Sequence, residues 1–293
     1  MAAPAPRPAA TLVLLRPGEK GIETLLMRRH TGVSFMGGVT VFPGGRVDEK
    51  DASAVYEPVL SPTDWEMLAS RVRCTIENAR AHAVAVLRET FEEAGLLLAS
   101  RPGAGDYLPI ESAGEREKFG VWRKRISAKD NPATIADVAR EEGISLRADR
   151  LVYFDHWITP EIEPKRYDTR FFVAEAPSAQ EAEHDAGELV EKAWLTPKQA
   201  IEKYEAGEIK LAPPTLVTLW RLSEFGDVQK ALTELGRRSV TTMTPKPKSV
   251  GGELHLILPS HPDYGPLDDP SQKADPNGPW GFTMRDGKWR PVG

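Results

Sequence analysis

Apolar residues come in short runs at the start of the chain and at helical spacing further on. Residues 10–16 and 22–28 are rich in β-branched residues and leucine, and Pro17-Gly18-Glu19-Lys20-Gly21 between them predicts a hairpin. Residues 39–42 form a third apolar run that ends in Pro43-Gly44-Gly45. The period then changes. Val84, Leu87 and Phe91 recur every three to four residues, which predicts a helix running from near Asn78 to the stop at Gly95. Phe119, Trp122 and Ile126 mark a second helix with a core-facing stripe, and residues 134–140 mark a third that ends at Gly143. Residues 151–158, 170–174 and 189–195 return to strand composition. Thr196-Pro197 opens a capped helix, and further helices cover 215–224 and 228–235. Ser61 followed by Pro62 predicts one more helix start, with Ser61 as the N-cap. The two periods together predict an α/β (α+β) chain.

From Thr244 onward proline and glycine become dense, and the pattern changes again. Residues 253–258 predict a strand, and Asp286-Gly287 predicts a hairpin within 280–290. We therefore expect a domain over 8–243, with insertions at about 52–80 and 107–148, and an extension over 244–293 packing on the domain or on a partner subunit. A homodimer is one arrangement open to such a chain. At 293 residues, with 40% hydrophobic and 28% charged residues, the composition is that of a globular protein. A net charge of −5 argues against a nucleic-acid partner. No run reaches the ~18–20 apolar residues that cross a bilayer, so no membrane partner is expected. The single cysteine, Cys74, fits a reducing compartment and a structural role, and the expected location is cytoplasmic. The Ala- and Pro-rich first ten residues read as a flexible lead-in.

The chemistry concentrates on the helix that ends at Gly95. Glu89, Glu92 and Glu93 sit at i, i+3 and i+4, so their carboxylates gather on the face opposite Val84, Leu87 and Phe91. One reading is a solvated acidic face with Arg88 paired to Glu92. The other is a site for a hard divalent cation, whose charge turns the mutual repulsion into attraction. The upstream Phe42-Pro43-Gly44-Gly45 turn favours the second, because glycine lets the backbone approach a ligand and leaves a carbonyl free for a metal.

Gly45, Asp51 and Arg88-Glu89-Thr90-Phe91-Glu92-Glu93-Ala94-Gly95-Leu96 resemble the Nudix box, Gly-x5-Glu-x7-Arg-Glu-U-x-Glu-Glu-x-Gly-U, where U is bulky and apolar. Asp51 stands where glutamate is usual and Thr90 where a large apolar residue is usual. Residues 52–87 put 36 positions between Asp51 and Arg88 where the box has seven. Leu25, Leu26, Gly38 and Phe42 match part of a further motif found in CoA-cleaving members, while Met27, His30 and Ser34 depart from it. The long insertion and the run from Trp157 to Phe172 are similar to the subfamily of the mammalian peroxisomal CoA diphosphatase.

The resemblance implies an α/β/α sandwich with a mixed sheet. It also implies hydrolysis of a nucleoside diphosphate linked to another moiety, with Mg2+ or Mn2+ as cofactor and a small nucleotide derivative as substrate. Metal ligands would come from Glu89, Glu92, Glu93 and the Gly44 or Gly45 carbonyl. Arg88 would orient a box carboxylate, and Glu89 or Glu188 would serve as general base. Substrate contacts fall to Arg28, Arg29, Phe42, Lys165, Arg166 and Arg170; for the basic residues a solvated loop is the other reading. CoA or acyl-CoA is the leading substrate. ADP-ribose or another nucleotide derivative is the alternative, and a ligand-binding protein without catalysis is a third reading. The 52–80 insertion reads either as a lid or substrate wall, or as an ornament.

Overall fold

Strand β1 (Arg7–Gly18) turns directly into β2 (Gly21–Arg29), with Leu15 opposite Thr24 and Gly18 opposite Gly21. Beyond that paired stretch the two strands part. The short β3 (Thr40–Val41) takes the edge of β2, and β4 (Gly44–Arg46) takes the edge of β1, where Gly45 faces Ala10. The computed structural model describes residues 3–30, 32, 37–128, 130, 133–182, 189–276 and 278–292, without the side chains of residues 189 and 190.

Helices α1 (Trp65–Val72) and α2 (Ile76–Ala94) follow. A two-stranded ribbon of β5 (Ala99–Ser100) and β6 (Ser145–Leu146) brackets α3 (Ala113–Ile126) and α4 (Ile135–Glu141). The chain then returns to the sheet through β7 (Val152–Ile158), β8 (Tyr167–Glu175) and β9 (Leu189–Leu195). It continues into α5 (Pro197–Ala206), α6 (Pro213–Leu222), α7 (Val228–Arg237) and the short β10 (Thr242–Met243). The main sheet runs β10-β7-β8-β1-β2-β3, with β4 added on β1 and β9 on β2. It is mixed: β8 lies parallel to β1 along its whole length, and β7 lies antiparallel to β8.

Both faces of the sheet are covered, and β1 shows why. Ala10, Leu12 and Leu14 point into a core shared with α1 to α4, and Val13 and Leu15 into one shared with α5 to α7. A strand buried on both sides reads as a continuous apolar run, which is what residues 12–15 are. The result is an α/β/α sandwich with additional helices and a C-terminal second sheet.

Helix α2 begins at Ile76, slightly earlier than its apolar spacing predicts, because the Thr75 hydroxyl accepts the Asn78 N–H at 3.2 Å. Gly95 ends it in a left-handed conformation that an L-residue adopts only at a cost. The Ser61 expectation is corrected. Asp64 caps α1, accepting the Met67 N–H at 2.9 Å, while the Ser61 hydroxyl donates to Asp149. The lead-in is also shorter than expected, since β1 already begins at Arg7. The insertion is packed into the fold: Tyr56, Val59, Leu68, Ala69 and Val72 are buried in the same core as α2.

The C-terminal residues form a second, antiparallel sheet of β11 (Lys246–Val250), β12 (Glu253–Ile257), β13 (Gly281–Arg285) and β14 (Lys288–Val292). Asp286 and Gly287 both have positive φ, as a two-residue hairpin of this hand requires. The sheet packs on α5 and α6 of its own chain. Phe282 stacks on Trp220 with ring centres 5.9 Å apart, and the Tyr204 hydroxyl donates to the Trp289 carbonyl at 3.0 Å. Among the described residues no helix is long and apolar enough to cross a membrane.

One buried ring on α2 gives the fold a pH dependence. His82 Nδ1 donates to the Asn78 carbonyl at 2.7 Å, and Nε2 is buried without a hydrogen-bond partner among the described residues. Burial pushes the His82 pKa down to about 4, with the positive charge of Arg170 adding to the effect. An unfolded histidine titrates near 6.5, so between those values the folded state binds fewer protons than the unfolded one. Stability is complete above the unfolded pKa and is lost as pH falls toward the folded one. At pH 5 the loss from this group is ~2 kcal/mol relative to neutral pH. Urea midpoints at pH 7.5 and pH 5 are expected to diverge in the wild type and to converge in His82→Gln. An equal divergence in both proteins would assign the pH dependence elsewhere.

Candidate active site

The catalytic geometry follows from how α2 meets the outer edge of β4. Leu12 N–H donates to the Pro43 carbonyl and Val47 N–H to the Pro8 carbonyl, so the alternation of an antiparallel ladder turns the backbone of Gly45 toward β1. The backbone groups of Gly44 and Arg46 then face away from β1, toward α2. The box helix takes both edges of this stretch. Gly44 N–H donates to Glu93 Oε2 at 2.8 Å, and the Arg46 carbonyl accepts from Arg88 Nη2 at 3.0 Å. The Gly44 carbonyl lies on this same edge, which separates it from the ladder-bound Gly45 carbonyl as the backbone oxygen facing the carboxylates.

Gly44 is required by space, and Gly45 lies against the end of the Glu89 side chain. A Cβ on Gly45 would stand 2.4 Å from the Glu89 carboxyl carbon, and a Cβ on Gly44 would stand 2.4 Å from the Ala10 carbonyl oxygen. At Gly45 the backbone of this turn therefore comes against the Glu89 carboxylate, which would have to shift to admit a side chain there.

Arg88 is the hub of the acidic group. Its Nε and Nη2 grip both oxygens of Asp51, each at 2.9 Å, and its Nη1 reaches Glu89 at 2.8 Å and Glu92 at 3.3 Å. Asp51 is 1% exposed, on a 3-10 turn over Glu49–Ala52, and its second oxygen also accepts the Asp48 N–H at 2.9 Å. Across the long insertion, both oxygens of the Asp51 carboxylate are bonded to Arg88. Burial alone would pull the Arg88 guanidinium toward deprotonation, but the Asp51 bonds and the charges of Glu89 and Glu92 more than reverse this. The Glu89 carboxyl is pushed up to about 7, first by burial and then by Glu92, with Arg88 opposing. Burial also raises Glu92.

The charge balance bears on whether a metal fits. Glu89 and Glu92 share Arg88 with Asp51, and Glu93 accepts from the Gly44 N–H, so three carboxylates gather around the Gly44 edge. Among the described residues no three acidic, histidine or cysteine side chains stand close enough together to enclose an ion, and Arg88 Nη1 bonds both Glu89 and Glu92. The donor set is nevertheless all hard oxygen, carboxylate and backbone carbonyl, which is what Mg2+ and Mn2+ require.

The expected substrate contacts are scattered by comparison. Arg28 at the end of β2 pairs with Glu191 of β9 at 2.9 Å. Arg29 is half-buried beside it, and its N–H donates to the Val39 carbonyl. Phe42 is buried in the core on the α5–α7 face, away from the box helix. Arg166 is buried, and its guanidinium donates to the Thr159 and Pro4 carbonyls at 3.0 Å each, tying the β7–β8 loop to the N-terminus. Arg170 on β8 pairs with Asp168, which also binds His156. Lys165 is exposed on the loop before β8. Glu188 lies outside the described residues. Glu89, Glu92, Glu93, Arg88, Gly44 and Gly45 are brought together, and the basic residues are not gathered with them. Asp48 and the Arg46 carbonyl join the site without having been singled out from the sequence, since nothing in a local pattern marks a backbone oxygen.

Residues 67–222, a stretch that contains the whole acidic motif, match the family model of the NUDT19 Nudix domain. The chain belongs to this Nudix family. The Nudix chain is 28% identical over 289 residues to the Gallus gallus acyl-coenzyme A diphosphatase NUDT19, covering 83% of this chain and 74% of that protein. It is 25% identical over 245 residues to the Xenopus laevis protein of the same name, covering 74% of this chain and 64% of that one. Among solved structures, a NUDIX hydrolase from Alicyclobacillus acidocaldarius superposes with a TM-score of 0.62 at 27% identity, covering 78% of this Nudix chain and 96% of the other.

Proposed function

We propose that this Nudix chain is a metal-dependent pyrophosphohydrolase acting on CoA or an acyl-CoA. The pyrophosphate bridge is cut to give 3′,5′-ADP and phosphopantetheine or its acyl form. The observation that carries the catalytic part is the gathering of three carboxylates, Glu89, Glu92 and Glu93, around the Gly44 turn. The names of the relatives from Gallus gallus and Xenopus laevis support the substrate class.

Glu89, Glu92, Glu93 and the Gly44 carbonyl would hold the Mg2+ or Mn2+, which neutralises phosphate charge and makes bound water more acidic. The remaining work belongs to the chain itself. Asp51 fixes Arg88, and Arg88 fixes the Glu89 and Glu92 carboxylates on one side. Gly44 N–H fixes Glu93 on the other. Glu89 is one candidate to take up a proton from the attacking water. Glu188 is the other candidate for that proton.

A substrate panel tests this reading: CoA, acetyl-CoA, a long-chain acyl-CoA, ADP-ribose, NADH and diadenosine polyphosphates, each with Mg2+ or Mn2+. Cleavage of the CoA compounds alone is expected. Cleavage of ADP-ribose instead keeps the site and discards the CoA class. Tight binding of one compound without turnover of any discards catalysis.

A further inference from the structure

Helix α3 brings a guanidinium to the end of the box helix. The last four carbonyls of a helix have no partner within it. In α2, which ends at Ala94, they begin at Phe91, and the Gly95 N–H takes the Phe91 carbonyl. Arg123 takes the next two. Its Nε donates to the Glu92 carbonyl at 2.7 Å and its Nη2 to the Glu93 carbonyl at 2.6 Å. Arg123 is held in place because the adjacent stripe of α3, Phe119, Trp122 and Ile126, is buried in the core that contains Phe91. Trp122 Nε1 further donates to Glu142 at 2.9 Å, which ties α3 to the end of α4.

The residues whose carbonyls Arg123 grips are those whose carboxylates face the Gly44 edge. A helix end is where backbone opens most readily, and Glu92 and Glu93 lie in the last turn, whereas Glu89 lies a turn deeper. A cation at this terminus also complements the helix dipole.

We propose that Arg123 is a positioning residue for the metal site: it pins the last turn of α2 so that the Glu92 and Glu93 carboxylates keep a fixed spacing toward the ion. The inference rests on the metal-dependent reading of the site given above. Arg123 acts through the backbone and touches neither substrate nor metal.

The test is Mn2+ binding to the full chain by calorimetry without substrate, beside urea unfolding without metal. The proteins are the wild type, Arg123→Gln, Arg123→Lys and Lys118→Gln. The last of these removes the ion pair between α3 and Glu142 and so loosens α3 without touching α2. Arg123→Gln is expected to bind Mn2+ about tenfold more weakly, the low end of the range for partners that orient metal ligands. Arg123→Lys, which keeps the charge and one donor, is expected to fall between it and the wild type, and Lys118→Gln to bind as the wild type does. If Arg123→Gln fails to fold, the intermediate affinity of Arg123→Lys decides. Wild-type affinity in the folded Arg123 variants, or an equal loss in Lys118→Gln, overturns the proposal. A wild-type chain that binds no Mn2+ overturns instead the metal reading beneath it.

Discussion

Glu92→Gln is expected to lower substrate turnover by about 10²-fold or more while leaving the fold intact. The substitution preserves size, and the amide oxygen still accepts from Arg88 Nη1, which stands 3.3 Å from Glu92 Oε1. What it removes is one of the three carboxylates gathered at the Gly44 turn. Oxygen donors for a hard cation work through charge, and the developing charge on phosphate must be met by the ion they hold. The loss therefore falls on metal affinity and turnover together, and excess Mn2+ is expected to restore part of it. Steady-state kinetics across a metal titration, with circular dichroism to verify folding, checks this. Wild-type turnover in Glu92→Gln would remove the acidic helix from the mechanism.

Asp51→Ala is expected to have the largest effect on stability. Asp51 is buried and accepts two hydrogen bonds from Arg88 and one from the Asp48 N–H. Removing it leaves a guanidinium that is 12% exposed without its main partner. Breaking a buried pair from one side costs about 3–5 kcal/mol, and urea unfolding reads this directly. The freed fork of Arg88 is then expected to draw Glu89 and Glu92 closer to it, so activity falls as well. A loss below ~1 kcal/mol would show that Arg88 finds another partner and that Asp51 is not the anchor.

The legibility of the site in the sequence followed distance along the chain. Arg88 to Gly95 is a local pattern on one helix, and the carboxylate face was visible from the spacing alone. Asp51 was marked by the resemblance, but its pairing with Arg88 was not legible, because 36 residues separate the two and only the fold returns them to each other. Strand alternation contained more than was drawn from it. Val41 and Phe42 necessarily face opposite sides of the sheet, and Phe42 falls on the side away from α2, in the core with Leu26. Asp168 and Arg170, two apart on β8, necessarily share a face, so their pairing was implicit in the run that marked Arg170 as a phosphate contact.

Other positions were hidden for different reasons. Ser61-Pro62 has the composition of a helix start, but Asp64 competes for the same role, and Asp149, 88 positions away, claims the Ser61 hydroxyl. Arg166 is basic and on a loop, yet backbone carbonyls at Thr159 and Pro4 satisfy it. The C-terminal hairpin was visible from Asp286-Gly287, but which surface receives it was not. That is set by Trp220 and Tyr204 on helices far upstream.

The most direct test of the central claim is product identification by mass spectrometry after incubating CoA with the wild-type chain in Mg2+ or Mn2+. The account predicts 3′,5′-ADP and phosphopantetheine in equal amounts, and neither once the metal is chelated. Intact CoA in the presence of either metal, or products of a bond other than the pyrophosphate bridge, would contradict it.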